Sequence, residues 1–240
     1  MIMIKNILKT MTLIFFVVGC FTACTKNETR THREDPLEEE PITMEPFAKD
    51  PFEGGAQFYY SFNEKIFVQP IEDKVCLKFV IDADREQVRT LIHSVEDSLQ
   101  QMYSIDWDQF PFYPTYGFVI GLETKNGKSV PLEILELLKA NQIVVSATYM
   151  IERNMSLGGI PDDFVVKLKG TTSYKQLQIL AEVNNCKVGK EDEFLKNVYT
   201  LYLSKTSQFN ALQISCLFQE TGLFEFSVPN FLLFMSKILI

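Results

Sequence analysis

An internal repeat constrains the fold of this chain more than any other feature. A segment starting at Leu132 aligns without a gap onto a segment starting at Leu212, at an offset of 80 residues. Apolar residues coincide at Leu132, Ile134, Leu137 and Ile143 in the first copy and at Leu212, Ile214, Leu217 and Leu223 in the second. Self-similarity at a fixed spacing is the sequence sign of a duplicated structural unit. We therefore expect two related units, one after the other.

The second copy has the clearer pattern of alternating and helically spaced apolar residues. It predicts a strand through Phe164, Val166 and Leu168, a helix over 173–184, an outer strand over 187–193, a strand over 198–203, a helix over 208–220 and a strand over 223–228. This order is strand, helix, strand, strand, helix, strand.

The first copy predicts the same order. Its elements are a strand over 74–80, a helix capped by Asp82 or Asp84 that carries Val88, Leu91, Ile92, Val95 and Leu99, a strand over 116–122, a helix from Pro131 to about Ala140 through Leu132, Leu135 and Leu138, and a strand over 143–151. This copy also carries an insertion around Trp107, and residues 102–115 are expected to form a long loop or an irregular strand. Two such helices pack on one face of an antiparallel sheet. The predicted fold class is therefore α+β, with two tandem ferredoxin-like units.

A β-hairpin is predicted ahead of the first unit. Two β-prone runs, 59–62 and 65–68, flank the polar pair Asn63-Glu64. In the strand that follows, Val75, Leu77 and Phe79 share one face, while Cys76 and Lys78 share the other. That alternation predicts a half-buried strand.

The N-terminal residues predict export and lipid anchoring. Lys5 and Lys9 precede a short apolar run, which is typical of a signal peptide and too short to span a bilayer comfortably. The sequence Phe-Thr-Ala-Cys that ends at Cys24 resembles a bacterial lipobox, which implies lipidation of that cysteine. Cys20 is a weaker second candidate, and an ordinary secretory signal remains the alternative.

Composition then sets the expected domain boundaries. Residues 1–23 form the signal peptide, and 24–56 form an acidic, Pro- and Thr-rich stalk that buries too little apolar surface to fold. The first unit with its hairpin covers 57–155, the second unit covers 156–231, and 232–240 form an apolar tail.

Charge and cysteine content exclude some classes of function. The net charge is -8, and removal of Lys5 and Lys9 with the signal peptide makes it about -10. No segment concentrates Lys or Arg without acidic neighbours, so we expect no nucleic-acid partner. The three cysteines of the folded part, Cys76, Cys186 and Cys216, are expected to be small core residues, with one disulfide pair as the alternative.

The sequence contains little catalytic machinery. A Ser-His-Asp triad needs a positioned histidine, and the two available are His32, in the stalk, and His93, expected on a solvated helix surface. Gly158-Gly159 lies between the two halves and is expected to be a hinge or turn. No cysteine or histidine pair has zinc spacing, so we expect neither a metal nor a cofactor.

One acidic pair leaves a carbohydrate-active alternative open. Asp106 and Asp108 flank Trp107 beside a run of aromatic residues, as paired acids do in some sugar-binding clefts. An aromatic loop that closes over a sheet edge explains the same pattern.

A family resemblance accompanies the last predicted strand. The segment 221–231 resembles the end of a subtilisin-family propeptide, in which a strand is followed by Pro-Asn and an aromatic residue. Residues 59–66 and 74–77 also resemble the pre-catalytic region of secreted subtilisin-like proteases from Bacteroidetes. The likeness covers most of 57–231, through short motifs. The family's Asp, His and Ser catalytic motifs are absent from the sequence.

The resemblance implies a propeptide-inhibitor-like binding module. Pro-regions of this family pack a sheet face on the protease and block its active site with the extended segment after the last strand. Carried over to this chain, the partner-binding residues are Val228, Pro229, Asn230, Phe231, Leu232 and Leu233. The apolar tail that follows should dock either on this sheet or on a partner.

Three functions follow in order of preference. The first is a non-catalytic, lipid-anchored protein of the cell envelope, at the outer membrane or cell surface, that binds a subtilisin-like serine protease or a similar protein. The second is a structural or vestigial envelope lipoprotein without inhibitory activity. The third is a carbohydrate-active protein that uses Asp106, Trp107 and Asp108.

Overall fold

The structure is a computed structural model and describes residues 42–61, 63–101, 119–153 and 156–234. The chain divides after Glu40, and all described residues belong to the unit Pro41–Ile240. This unit is α+β: its strands form antiparallel sheets, and four helices are described. The predicted class is confirmed at this level.

The elements follow the predicted order. The strands are β1 (Phe58–Ser61), β2 (Glu64–Phe67), β3 (Pro70–Phe79), β4 (Leu99–Gln101), β5 (Val119–Thr124), β6 (Val144–Arg153), β7 (Ser156–Gly159), β8 (Asp163–Leu168), β9 (Cys186–Glu191), β10 (Val198–Leu203), β11 (Phe224–Pro229) and β12 (Leu232–Phe234). The helices are α1 (Arg85–Ser94), α2 (Leu132–Ala140), α3 (Tyr174–Val183) and α4 (Ala211–Glu220).

Both halves use one strand order. From β3 to β6 the order in the sheet is β6-β3-β5-β4, and from β8 to β11 it is β11-β8-β10-β9. Each therefore places its fourth strand beside its first, then its third, then its second, and all pairs are antiparallel. The first sheet is extended to six strands, because β7 pairs with β6 and β12 pairs with β7. Gly158 and Gly159 thus lie in a strand and not in the expected hinge.

Side-chain caps determine where three of the helices begin. Asp84, Ser173 and Asn210 each accept a hydrogen bond from the backbone N–H of the residue three positions on. That residue is a glutamine in all three helices, and its side chain accepts a hydrogen bond from the backbone N–H of the cap residue. These are capping boxes, which satisfy two otherwise unpaired donors. Helix α1 ends at Ser94, so Leu99 belongs to β4 and not to the predicted helix.

The first half buries its apolar residues between one sheet face and two helices. Val75, Leu77 and Phe79 of β3 pack with Val88 and Leu91 of α1. Leu135 and Leu138 of α2 complete this core, whereas Leu132 in the first turn is 62% exposed. The sequence repeat aligns Leu132 with Leu212, but of these two leucines only Leu212 is buried.

The second half has an aromatic core. Phe218 of α4 is fully buried, and its ring centroid lies 5.0 Å from that of Phe164 and 5.4 Å from that of Phe224. Leu177 and Leu180 of α3 pack in the same cluster. Edge and stacked contacts of this kind add to the stabilisation from apolar burial alone.

The packed chain begins earlier than the expected boundary at residue 57. Phe47 lies 5.8 Å from Phe218, ring to ring, and its backbone N–H donates to Asn184 Oδ1 at 2.8 Å. Met44 packs on the same core and Phe52 is buried against the hairpin. Met44 and Phe47 therefore hold this part of the predicted stalk against the second half, and Phe52 holds it against the hairpin.

The predicted hairpin is confirmed and joins a third core. Strands β1 and β2 pair from Phe58↔Phe67 to Ser61↔Glu64. Phe58 and Tyr59 pack with Leu212 and Cys216 of α4, together with apolar residues of the first half. Helix α4 is consequently buried on two sides.

Cys76, Cys186 and Cys216 are buried free thiols, and burial raises the pKa of each to about 12.

Candidate protein-binding surface

Each sheet has one face against its helices and one face away from them, called here the outer face. The outer face of the first sheet is covered by the chain segment Ile160–Asp163. Thr148 Oγ1 donates to the carbonyl of Ile160 at 2.9 Å. On the same face, Lys78 Nζ contacts the Asp162 carboxylate and lies 3.6 Å from Asp163 Oδ1. The second half of β3, from Val75 to Phe79, is therefore buried on both faces, and not half-buried as its alternation predicted.

The Lys78 cluster is buried and charged. The Lys78 side chain is 5% exposed, Asp162 is 11% exposed and Asp163 is fully buried. Burial of such ions is costly unless each is paired, so removal of the Lys78 ammonium would leave the two carboxylates less compensated. The cluster ties the end of β3 to the start of β8.

The outer face of the second sheet is more exposed. Val165 of β8, Thr200 of β10, and Phe226 and Val228 of β11 lie on it, and all four are half-buried. Near one end, Lys167 Nζ lies 2.6 Å from Glu225 Oε2, and both side chains are well exposed. This face offers apolar surface with a charged rim, the common composition of a protein-binding patch.

The predicted partner-binding residues follow directly from that face. Val228 and Pro229 end β11, where they pair with Val165 and Phe164. Asn230 donates its backbone N–H to the carbonyl of Asp163 at 3.1 Å, and its side-chain amide donates to the Asp163 carboxylate. Asn230 therefore fixes the exit of β11 at the Lys78 cluster.

The rest of the predicted segment is docked on the protein itself. The ring of Phe231 lies 5.0 Å from that of Tyr59. Leu232 and Leu233 belong to β12 and pair with Gly159 and Gly158 of β7. Of the two destinations expected for the tail, the structure shows these residues at the edge of the first sheet.

An open groove lies along the β9 edge of the second sheet. It has a volume of about 880 Å³ and is lined by Tyr174, Lys187, Val188, Gly189, Lys190, Glu191, Tyr199 and Tyr202. The β9–β10 ladder is irregular between Tyr199 and Leu201. A Cβ on Gly189 would lie 2.9 Å from the carbonyl oxygen of Thr200 and 3.1 Å from the Tyr202 ring. Only glycine allows this close approach.

Two of the tyrosines that line the groove, Tyr199 and Tyr202, have raised pKa values. Burial, then the charge of Asp163, raises the pKa of Tyr202, while burial, then the charge of Glu191, raises the pKa of Tyr199. Their hydroxyls are therefore hydrogen-bond donors at neutral pH.

Comparison with protein-family models, curated proteins and solved structures found no match.

Several residues considered in the sequence analysis, as functional candidates or as the stalk histidine, lie outside the described residues. They are Cys24, Cys20, His32, Asp106, Trp107 and Asp108. His93 is described: its side chain is 64% exposed and its Nδ1 lies 2.8 Å from Glu96 Oε2. It is a surface residue, as expected. Among the helices that the structure describes, none has the length and apolarity to cross a membrane.

The sequence singled out the C-terminal segment as partner-binding, which stays a prediction, and it did not reveal the Lys78 cluster or the groove. A lysine inside an alternating apolar strand and an acidic pair just before another strand were the available signals for the cluster. The groove depends on a bulge at Gly189, for which the sequence offered only the glycine itself.

Proposed function

We propose that this chain is a non-catalytic binding module that engages a subtilisin-like serine protease through the outer face of its second sheet and the segment after β11. The protein acts at the cell envelope, tethered by a lipid on Cys24. The observation that carries the proposal is the half-buried apolar outer face, which continues directly into Asn230 and Phe231.

The strand order supports this function. Each half is a ferredoxin-like unit in this proposal, because the order fourth, first, third, second with antiparallel pairs is what that arrangement requires. It is also the arrangement implied by the resemblance to subtilisin-family pro-regions.

The outer face supplies the contact surface. Val165, Phe226 and Val228 provide apolar area at its centre. Lys167 and Glu225 place one positive and one negative charge at its rim. Apolar area at the centre and charge at the rim favour affinity and specificity, respectively.

The docked tail imposes a condition on inhibition. Leu232 and Leu233 pair with β7 and cannot enter a protease cleft at the same time. Blocking an active site therefore requires β12 to leave β7. Binding through the outer face alone does not require this release.

The test is affinity for purified subtilisin with its active-site serine blocked, together with inhibition of the active enzyme. The double variant Phe226→Ser/Val228→Ser should weaken binding at least about tenfold, since both residues lose apolar contact area. Leu132→Ser is the matched control, because Leu132 is equally apolar but lies exposed on α2. Wild-type protein that neither binds nor slows subtilisin would refute the proposal.

The second candidate is a structural envelope protein, and the docked tail favours it. The Phe231–Tyr59 contact and the β12–β7 pairing stabilise this fold without any partner. Deletion of residues 231–240 separates the two functions. Under the proposal the deletion abolishes inhibition of subtilisin, whereas under the second candidate it only lowers the melting temperature.

A further inference from the structure

The connection between β9 and β10, residues 192–197, presents two large apolar side chains to solvent. Phe194 is 90% exposed and Leu195 is 57% exposed. Phe194 is the most exposed large apolar side chain among the described residues. We call this connection the β9–β10 tip.

The tip is held in shape by its own polar groups. Asp192 Oδ1 accepts hydrogen bonds from the backbone N–H groups of Phe194 and Leu195, both at 2.9 Å. Glu191 Oε1 accepts from the N–H of Asn197 at 2.6 Å, and Asn197 has a positive φ of 59°. The ordering of the loop therefore does not depend on burying Phe194. An anchor that is already ordered loses little conformational entropy on binding.

The tip lies at the opposite end of the outer face from the C-terminal segment. β8 pairs with the start of β10 at Lys167↔Val198 and with the end of β11 at Phe164↔Pro229. Two contacts at these ends are separated by about one strand length, on the order of 15–20 Å.

The groove along β9 lies next to the β9–β10 tip. Tyr174, at the start of α3, is 43% exposed, and its ring centroid lies 5.2 Å from that of Tyr199. Both tyrosines line the groove, together with Glu191, which also caps the tip. Glu191 therefore belongs both to the groove and to the base of the tip.

We propose that Phe194 and Leu195 form a second anchor, which inserts into an apolar pocket of the same protease that packs on the outer face. This inference rests on the proposed function. A protruding pair of apolar residues on an ordered loop has the shape of an interface hot spot that fills a pocket. The Phe194–Leu195 pair and the C-terminal segment lie at opposite ends of the outer face, so the protease would contact this chain at two widely spaced points.

The charges near the tip favour a protein over an anionic membrane. Glu191, Asp192 and Glu193 precede Phe194, with Lys190 and Lys196 on either side, so the tip has no excess of the Lys and Arg that anionic bilayer surfaces attract. Two side chains also offer too little area to hold a second copy of this chain in a stable dimer.

The experiment compares Phe194→Ser, Leu195→Ser and Leu132→Ser for affinity to subtilisin with its active-site serine blocked. Phe194→Ser should raise Kd at least about tenfold and Leu195→Ser by less, because Phe194 is larger and more exposed. Leu132→Ser should leave Kd unchanged. All three variants should keep the wild-type melting temperature, since none of these side chains is buried. Phe194→Leu should recover part of the lost affinity.

Each contrary outcome has a distinct meaning. If the wild type binds and Phe194→Ser binds equally well, the second anchor is refuted while the proposed function stands. If the wild type does not bind at all, both are refuted. Co-sedimentation with phosphatidylethanolamine–phosphatidylglycerol vesicles is measured in parallel. Loss of vesicle binding in Phe194→Ser, with unchanged subtilisin affinity, would assign the tip to a lipid surface and overturn the inference.

Discussion

Lys78 and Lys167 occupy the same place in the two halves but have opposite surroundings. Lys78 pairs across the sheet with Val119 and Ser146, and Lys167 pairs with Val198 and Phe226. The two lysines lie 89 residues apart, whereas their neighbours correspond at offsets of 79 and 80 residues. Lys78 is buried under Asp162 and Asp163, whereas Lys167 is about one-third exposed beside Glu225. At these positions the outer face is buried in the first half and accessible to solvent in the second half.

The second helix of each half differs in the same manner. Leu132 is exposed and Leu212 is fully buried, while Glu136 is exposed and Cys216 is fully buried. The cause is the hairpin, because β1 packs on α4, and no described element covers α2 in this way. The two halves thus share a core between helices and sheet and differ in how far their remaining faces are buried.

The largest effect is expected from the two lysines. Lys78→Met should lower the free energy of unfolding by about 3–5 kcal/mol, because it leaves buried carboxylates without their cation. Lys167→Met is the matched control and should cost at most about 1 kcal/mol, because its ion pair is exposed. Urea unfolding followed by circular dichroism measures both. Equal losses would show that the two outer faces are not different environments.

A smaller contrast is expected between the aligned leucines. Leu212→Ala should cost about 2–5 kcal/mol through lost burial and a cavity between α4 and the hairpin. Leu132→Ala should stay within about 0.5 kcal/mol, as is usual for exposed positions. Thermal and urea unfolding check the pair. A large loss at Leu132 would mean that α2 is covered by a neighbour after all.

The smallest contrast concerns two strand glycines. Gly189→Ala places a methyl group 2.9 Å from the backbone oxygen of Thr200 and should cost about 1–3 kcal/mol through overpacking. Gly158→Ala meets a flexible side-chain atom of Ile151 at 3.2 Å and should cost less. Comparison of melting temperatures tests the order. The reverse order would argue against the bulge that shapes the groove.

The sequence predicted the four helices and most strands in their order along the chain, but not β4, β7 or β12. Asp84 and Ser173 mark helix starts because capping is local chemistry between residues three apart. Alternation in β3 likewise identified the face that carries Val75, Leu77 and Phe79.

The sequence pattern could not predict which segment covers the second face of a strand or helix. Lys78 is buried by a segment more than eighty residues away, and Leu212 is buried by a hairpin far earlier in the chain. Met44 and Phe47 pack although their surroundings are acidic, because a few large apolar side chains outweigh the composition of a short stretch. Long-range packing of this kind leaves no periodic signal in one sequence.

Hydrogen–deuterium exchange, with and without active-site-blocked subtilisin, tests the central claim most directly. The account predicts slower exchange of backbone amides in β10, β11 and the β9–β10 tip on binding, with unchanged exchange in β3 and α2 of the first half. Protection confined to the first half, or no protection anywhere at saturating subtilisin, would contradict it.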